Sequence, residues 1–171
     1  MFDTSDRDRF SGDIFQFVIP AMSLGIAGYK KDGQGAVQLV KTMVTNKVAT
    51  EVLKQSLNNV SISGTRLGER PDGGDKNFPS GHTSASFAGA WQIQKRYGIK
   101  YSTVPLVMAS FVGYSRVDEK RHTVAGVLAG ALVGIASAEF FTTKIQDKNV
   151  SLALNYNGYN GGSLTFSVKL L

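Results

Sequence analysis

Two regimes of hydrophobic patterning divide the chain: helical spacing or unbroken apolar runs up to about residue 142, then strict alternation beyond residue 149. IFQFVIPAMSLGIAGY (14–29) is apolar with Pro20 inside it, which predicts a helix that either kinks or begins at that proline. GAVQLVKTMVTNKVATEVLKQSL (35–57) repeats apolar residues three and four apart and predicts an amphipathic helix. A third helix opens at Ser80, a residue type that caps well, and runs to about Tyr97. Lys95 and Arg96 suit its C-terminal dipole, and Gly98 can take the left-handed stop position. Further helices are expected at about 101–115 and 122–142. The last carries Gly126, Gly130 and Gly134, a stripe of small residues along which another helix can approach closely.

Residues 58–79 interrupt this pattern. SISGTRLGERPDGGDKNFP is rich in Gly, Pro and Asp and must contain a long loop, which in a compact domain is more often functional than idle. At the C-terminus VSLALNY and SLTFSVKL alternate around NGYNGG, predicting a β-hairpin. Val150, Leu152, Leu154 and Tyr156 would share one face with Leu164, Phe166, Val168 and Leu170, packed on the helices. The fold expected is therefore all-α: a bundle of about five to six helices over residues 10–145, with a short C-terminal hairpin over 149–171. The whole chain, 1–171, reads as one domain.

Composition narrows the setting. A chain of 171 residues suffices for one substantial core. Charged residues make up 19%, fewer than in a typical soluble domain, yet the mean hydropathy of −0.07 is too polar for a conventional polytopic membrane protein. The uncharged stretches 14–29, 101–115 and 123–138 fall slightly short of the roughly 20 residues of a spanning helix. Buried helices, tilted spans and segments seated in one leaflet all remain open. The absence of cysteine excludes disulfides and thiolate metal sites. The opening MFDTSDRDRF is charged and unlike a secretory signal peptide. A net charge of +6 attracts phosphate, whether on nucleic acid, anionic lipid or a small substrate. The basic pairs Lys30-Lys31, Lys95-Arg96 and Lys120-Arg121 are scattered and lack interleaved aromatics, which argues against nucleic acid.

The chemistry gathers in three clusters: GERPDGG with Arg70, PSGH with His82, and SRVDEKRH with Arg116 and His122. The chain has only these two histidines. At the start of a helix, Ser80 can cap, Gly81 admits close backbone approach, and free N–H groups favour phosphate. An imidazole in that first turn can donate a proton, and a second imidazole across the phosphorus can attack it. Arg70 and Arg116 would supply bidentate donors, so the chemistry needs no metal. Each residue alone has a plainer explanation as solvated surface; the combination is what carries the reading.

RP at 70–71, PSGH at 79–82 and SR-x5-H at 115–122 resemble the three signature motifs of the type 2 phosphatidic acid phosphatase family. That family shares its architecture with bacterial acid phosphatases and vanadium haloperoxidases. The resemblance spans about residues 50–140. It implies a helical bundle with the site at one end, His122 as nucleophile and His82 as general acid. Arg70, Ser80, Gly81 and Arg116 would bind phosphate, with no metal or other cofactor. The implied reaction is hydrolysis of a lipid phosphate or pyrophosphate through a phosphohistidine, by a membrane-associated or periplasmic protein that can meet an anionic membrane surface. A soluble phosphomonoesterase, a non-catalytic phosphate- or lipid-binding protein and a vanadate-dependent haloperoxidase are the alternatives.

The chain departs from the family pattern twice. The motif lysine seven residues before the arginine is Ser63, and Arg66 would replace its charge if that segment is helical. The aspartate four residues after the nucleophilic histidine, which orients the ring, is Gly126. Losing the orienting carboxylate of a serine-protease triad costs about 10⁴ in rate. A backbone carbonyl, Asp118 or Glu119 would have to take over here. If the glycine stripe has room, Gly126→Asp is expected to raise turnover.

Overall fold

The computed structural model describes the backbone of residues 4–145, 150–157 and 161–168, and the side chains of residues 12–145. Five helices make up the bundle: α1 (Thr4–Tyr29), α2 (Gly33–Leu57), α3 (Gly81–Tyr97), α4 (Ile99–Asp118) and α5 (Val124–Phe141). Between α2 and α3 lies a small antiparallel ribbon of β1 (Ser61–Ile62) and β2 (Thr65–Arg66). Val150–Asn157 (β3) pairs antiparallel with Gly161–Val168 (β4), with Leu152 opposite Phe166 and Leu154 opposite Leu164. The expected packing of that pair's apolar face on the helices lies outside the described residues.

Helix α1 begins at Thr4 rather than at Pro20, which sits inside it. The proline ring lies against Gly89 of α3, where an added Cβ would come 3.2 Å from Pro20 Cγ. Asp32 caps α2 by accepting from the Gly35 N–H at 3.0 Å. Helix α3 is central and packs on all four other helices. The glycine stripe faces it: a Cβ at Gly130 would run into the Ser80 carbonyl, and one at Gly134 into the Ser84 carbonyl. Thr123 caps α5 through its hydroxyl, which accepts from the Gly126 N–H at 3.1 Å.

Polarity is arranged opposite to the amphipathic expectation for α2. Its buried positions include Gln38, Thr42, Asn46 and Thr50, whereas Val37, Val40, Val44, Val48 and Val52 are exposed. Inside, Thr50 bonds Ser84 at 2.9 Å, Ser84 donates to Asn46, and Ser23 of α1 donates to Gln92 of α3. A buried polar group without a partner is costly, and Asn46, Thr50, Ser84, Ser23 and Gln92 meet that cost by pairing, whereas the buried Thr42 hydroxyl has no hydrogen-bond partner among the described residues.

Fourteen residues beyond His82, roughly 20 Å along α3, Arg96 closes the far end of the bundle. Its buried guanidinium pairs with Asp32 and donates to Gln38 Oε1 at 3.0 Å and to the Thr143 carbonyl at 2.9 Å. The Tyr97 hydroxyl donates to the same Asp32 carboxylate at 2.9 Å. Arg96 holds the Asp32 carboxyl down to about 2.

Candidate active site

The site is built at the end of the bundle where α3 starts, the α2–α3 connection ends and α4 turns into α5. Tight turns shape the connection: Ser63 and Gly64 both have positive φ at the tip of the β1–β2 ribbon. Arg70 is fixed by a second turn, in which its N–H donates to the Gly74 carbonyl at 2.7 Å and its carbonyl accepts from the Gly73 N–H at 2.9 Å. Asn77 then anchors the segment. Its N–H donates to the Gly68 carbonyl at 2.9 Å, and its amide donates to the Leu67 carbonyl and the Thr123 hydroxyl, both at 3.0 Å. Its side-chain oxygen accepts from the Thr123 N–H at 2.7 Å. Thus one buried asparagine ties the loop before α3 to the N-terminus of α5.

The same residue holds His122. Imidazole Nδ1 lies 2.6 Å from the Asn77 carbonyl, and because a carbonyl only accepts, Nδ1 carries the hydrogen. Nε2 is left with its lone pair. The ring is placed by the end of α4, where the His122 N–H donates to the Arg116 carbonyl at 3.0 Å. Of the expected replacements for the missing aspartate, the backbone carbonyl is the one in place. Asp118 is exposed, and Glu119 pairs with Arg116 at 2.9 Å.

Gly126 belongs to this arrangement. A Cβ there would come 2.7 Å from the Asn77 carbonyl oxygen and 3.0 Å from Asn77 Oδ1. Only a hydrogen lets the loop carbonyl reach the histidine from that side.

His82 occupies the first turn of α3, and its Nε2 lies 3.1 Å from Asp13 Oδ1. Arg116 is buried, with Nη1 donating to Asp13 Oδ1 at 2.9 Å and Nη2 to Glu119 Oε1 at 2.9 Å. A pocket of about 260 Å³ is lined by Asp13, Lys54, Arg70, His82, Arg116, Glu119, Arg121 and His122. Four of the eight are cationic and two are carboxylates, so the cavity favours an anion. Burial, then the Arg116 charge, pushes His82 down to about 4 against the pull of Asp13. Burial likewise takes His122 to about 4, opposed by the Asn77 carbonyl and reinforced by Lys54 and Arg70. Under the influence of the protein groups alone, both rings are therefore neutral at pH 7.

The structure brings together His82, His122, Arg70 and Arg116, as the three motifs anticipate, and places two of the expected residues differently. Gly81 lines a second cavity of about 460 Å³, which adjoins the first through Lys54 and His82. Ser80 is fully buried beneath them; its N–H donates to the Gly126 carbonyl at 2.8 Å. Its hydroxyl accepts from Thr83 at 3.0 Å and does not cap the helix. Arg66 must be corrected. Its segment is a strand, not a helix, and its guanidinium pairs with Asp75 at 2.7 Å, away from the residues that line the pocket.

The cation that does line both cavities is Lys54, from the last turn of α2. Burial lowers its pKa, and Arg70 adds to that shift while Glu51 opposes it. Its ammonium would lie 3.5 Å from a Cβ placed on Gly81. Sequence spacing missed it because the ribbon separates it from Arg70. The signal was present in Asn46, Thr50 and Lys54, which follow one another at single turns along the buried face.

A model of the PAP2 superfamily matches residues 35–150, which include every motif above. The chain is 32% identical over 137 residues to a lipid A 1-phosphatase of Helicobacter pylori, covering 79% of this chain and 71% of that one. It is 35% identical over 127 residues to a lipid A 1-phosphatase of Porphyromonas gingivalis, covering 71% of this chain and 28% of the relative. Lipid phosphate phosphatase 2 of Arabidopsis thaliana is 40% identical over 81 residues, 39% of this chain and 28% of its own length. Among solved structures, that of Aquifex aeolicus LpxE superposes with a TM-score of 0.55 at 19% identity, covering 75% of this chain and 83% of that one. At that identity the likeness establishes the shared helical fold.

Proposed function

The chain belongs to the PAP2 superfamily, and from that premise we propose that it hydrolyses the phosphate monoester of a lipid through a phosphohistidine on His122. The observation that carries this reading is the Asn77 carbonyl on His122 Nδ1, which leaves Nε2 nucleophilic at the wall of a cationic pocket shared with His82. Nε2 attacks phosphorus as the P–O bond to the lipid breaks, and His82 protonates the departing oxygen. Water then attacks the phosphohistidine, returns a proton to His82, and releases inorganic phosphate. Arg70, Arg116 and Lys54 hold the phosphoryl oxygens, with the free N–H groups of the first turn of α3 beside Gly81.

A lipid is the better substrate class for two reasons. The 460 Å³ cavity reaches from the phosphate pocket along Phe17, Pro20, Met43 and Ala85, giving room for an apolar portion. The outer helix faces are also apolar: Val37 to Val52 on α2, and Val124, Leu128 and Leu132 on α5. Helix α5 is long and apolar enough to cross a membrane, although its large side chains face outward while its glycines face α3. We place the protein at a membrane accordingly, and its relatives' names agree with a lipid substrate.

The test compares phosphate release from phosphatidic acid in mixed micelles with release from p-nitrophenyl phosphate, for the parent protein and His122→Ala. Release from the lipid, lost in the variant, with an acid-labile and alkali-stable phosphoprotein trapped at early times, is the expected result. No release from either substrate, or a variant as active as the parent, would refute the proposal. Release from the aryl ester alone would assign a soluble phosphomonoesterase.

A further inference from the structure

Neither carboxylate in the pocket, Asp13 or Glu119, has a part in the scheme above, and Asp13 is the one that touches His82. Asp13 comes from the N-terminal half of α1, and its Oδ1 faces both His82 Nε2 at 3.1 Å and Arg116 Nη1 at 2.9 Å. Its approach is enforced by the preceding residue. Gly12 is buried against α4, where a Cβ would run into the Ser115 hydroxyl and come 2.5 Å from Arg116 Nη2. With Ser115 and Arg116 in these positions a larger residue would have to displace their side chains, and the contact sets the next side chain over the imidazole.

Resting on the reading of His82 as the acid, we propose that Asp13 is a positioning residue that holds the His82 ring by Nε2 and stabilises its charged form. The other ring nitrogen, Nδ1, then delivers its proton to the leaving oxygen. In the transfer the Nδ1–H bond breaks, the proton goes to the lipid oxygen, and the neutral ring keeps its Nε2–H on Asp13.

The electrostatics of the pocket explain why such a partner is needed. His82 shares its pocket with Lys54 from α2, Arg70 from the long loop, Arg116 from α4, Glu119 at the C-cap of α4, and Arg121 and His122 from the α4–α5 turn. Burial favours a neutral ring, and Arg116 and Lys54 add to it; Asp13 is the group that opposes them through charge and hydrogen bond. Glu119 cannot substitute, because its carboxylate is turned to Arg116 at 2.9 Å. Bound phosphate supplies further negative charge while the ester is intact, and Asp13 keeps the proton on the ring as the P–O bond opens.

Having only two histidines, the protein offers a direct test. The imidazole resonances of histidine-labelled protein are titrated with and without inorganic phosphate and assigned with His122→Gln. Asp13→Asn should lower the His82 pKa by about 1 unit or more, leave His122 within a few tenths, and be reversed by Asp13→Glu. Asp13→Ser provides the same readout if the amide variant folds poorly. In turnover, the alkaline limb of kcat/KM should move down with the His82 pKa. The loss should be about tenfold or more for the lipid ester and smaller for p-nitrophenyl phosphate, whose leaving group needs little protonation. An unchanged His82 titration would overturn the proposal. So would tighter phosphate binding and faster turnover in Asp13→Asn, which would make the carboxylate a mere occupant of the anion site. A parent protein without phosphatase activity would sink the functional reading alone, because the titration still decides whether Asp13 holds His82 charged.

Discussion

Replacing Gly126 by Asp would supply, on paper, the ring-orienting carboxylate that the family resemblance implies at this position. The structure predicts the opposite of a gain. Any residue with a Cβ at 126 places that carbon 2.7 Å from the Asn77 carbonyl oxygen and 3.0 Å from its side-chain oxygen, well inside normal contact. Either the α5 start or the Asn77 loop must move. Overpacking of this kind costs about 1–3 kcal/mol. The group displaced is the one that accepts from His122 Nδ1, so the ring loses its support before the new carboxylate can supply another. A displacement near 1 Å of a reacting group costs about 10²-fold in rate. Gly126→Ala, which adds the same Cβ and no charge, should show most of the loss of stability. Urea denaturation in detergent and phosphate release, run on the parent and both variants, would measure it. An aspartate variant as stable as the parent and faster in turnover would refute the steric argument and show that the loop yields at no cost.

Three further outcomes follow from the same geometry. Lys54→Met should weaken phosphate inhibition and lower kcat/KM at least tenfold, the scale of a lost charge-assisted contact of about 1.5–3 kcal/mol, whereas Arg66→Met should stay within a few-fold; equal effects would contradict the reassignment. Asn77→Ala retains the carbonyl that meets His122 but strands the Leu67 carbonyl and the Thr123 N–H; a destabilisation of about 3 kcal/mol is expected, read by denaturation, with turnover falling as the loop loosens. Asp32 has its folded pKa depressed from 3.8 to about 2 by Arg96, so its contribution is present above pH 4 and is lost as pH falls toward 2, a loss of about 2 kcal/mol. Asp32→Asn should therefore be less stable than the parent at pH 7, and that gap should shrink between pH 4 and 2; a gap that does not change would refute the ion pair's role.

What the sequence made legible was local. Helices α2 to α5 announced themselves by apolar spacing or by cap and stop residues, and PSGH and SR-x5-H each lie within a single turn or helix end, so they could be singled out as a candidate site before the fold was known. What escaped depended on distance along the chain. Asn77 looks like one more loop residue in DKNFP until its four bonds to Gly68, Leu67 and Thr123 are seen. Lys54 stands sixteen residues before Arg70, and the β1–β2 ribbon that brings them together is two residues a side, too short to signal itself. Arg66 was the natural substitute only under the assumption of a helix through GTRLG, which the positive φ of Gly64 breaks. Asp13 lay in a segment whose helix begins earlier than Pro20 led one to expect.

The inverted polarity of α2 ties these observations together. Periodicity finds that a helix has two faces but is silent on which face turns inward, and the usual assumption gives the apolar one to the core. Here the interior beside α2 is taken by Thr42, Asn46, Thr50, Ser84 and Gln92, small or polar side chains that let helices approach closely, several of which hydrogen-bond across the bundle. Close approach requires glycine where α5 meets α3, and a bundle packed in that way leaves many of its valines and leucines on the outside. In water such a surface is a liability; against lipid tails it costs nothing, and interhelical hydrogen bonds and tight contact supply the cohesion instead. The arrangement that makes Gly126 unavailable for an aspartate is thus the same one that suits the molecule to a membrane. The Asn77 carbonyl beneath His122 is how the site accommodates it.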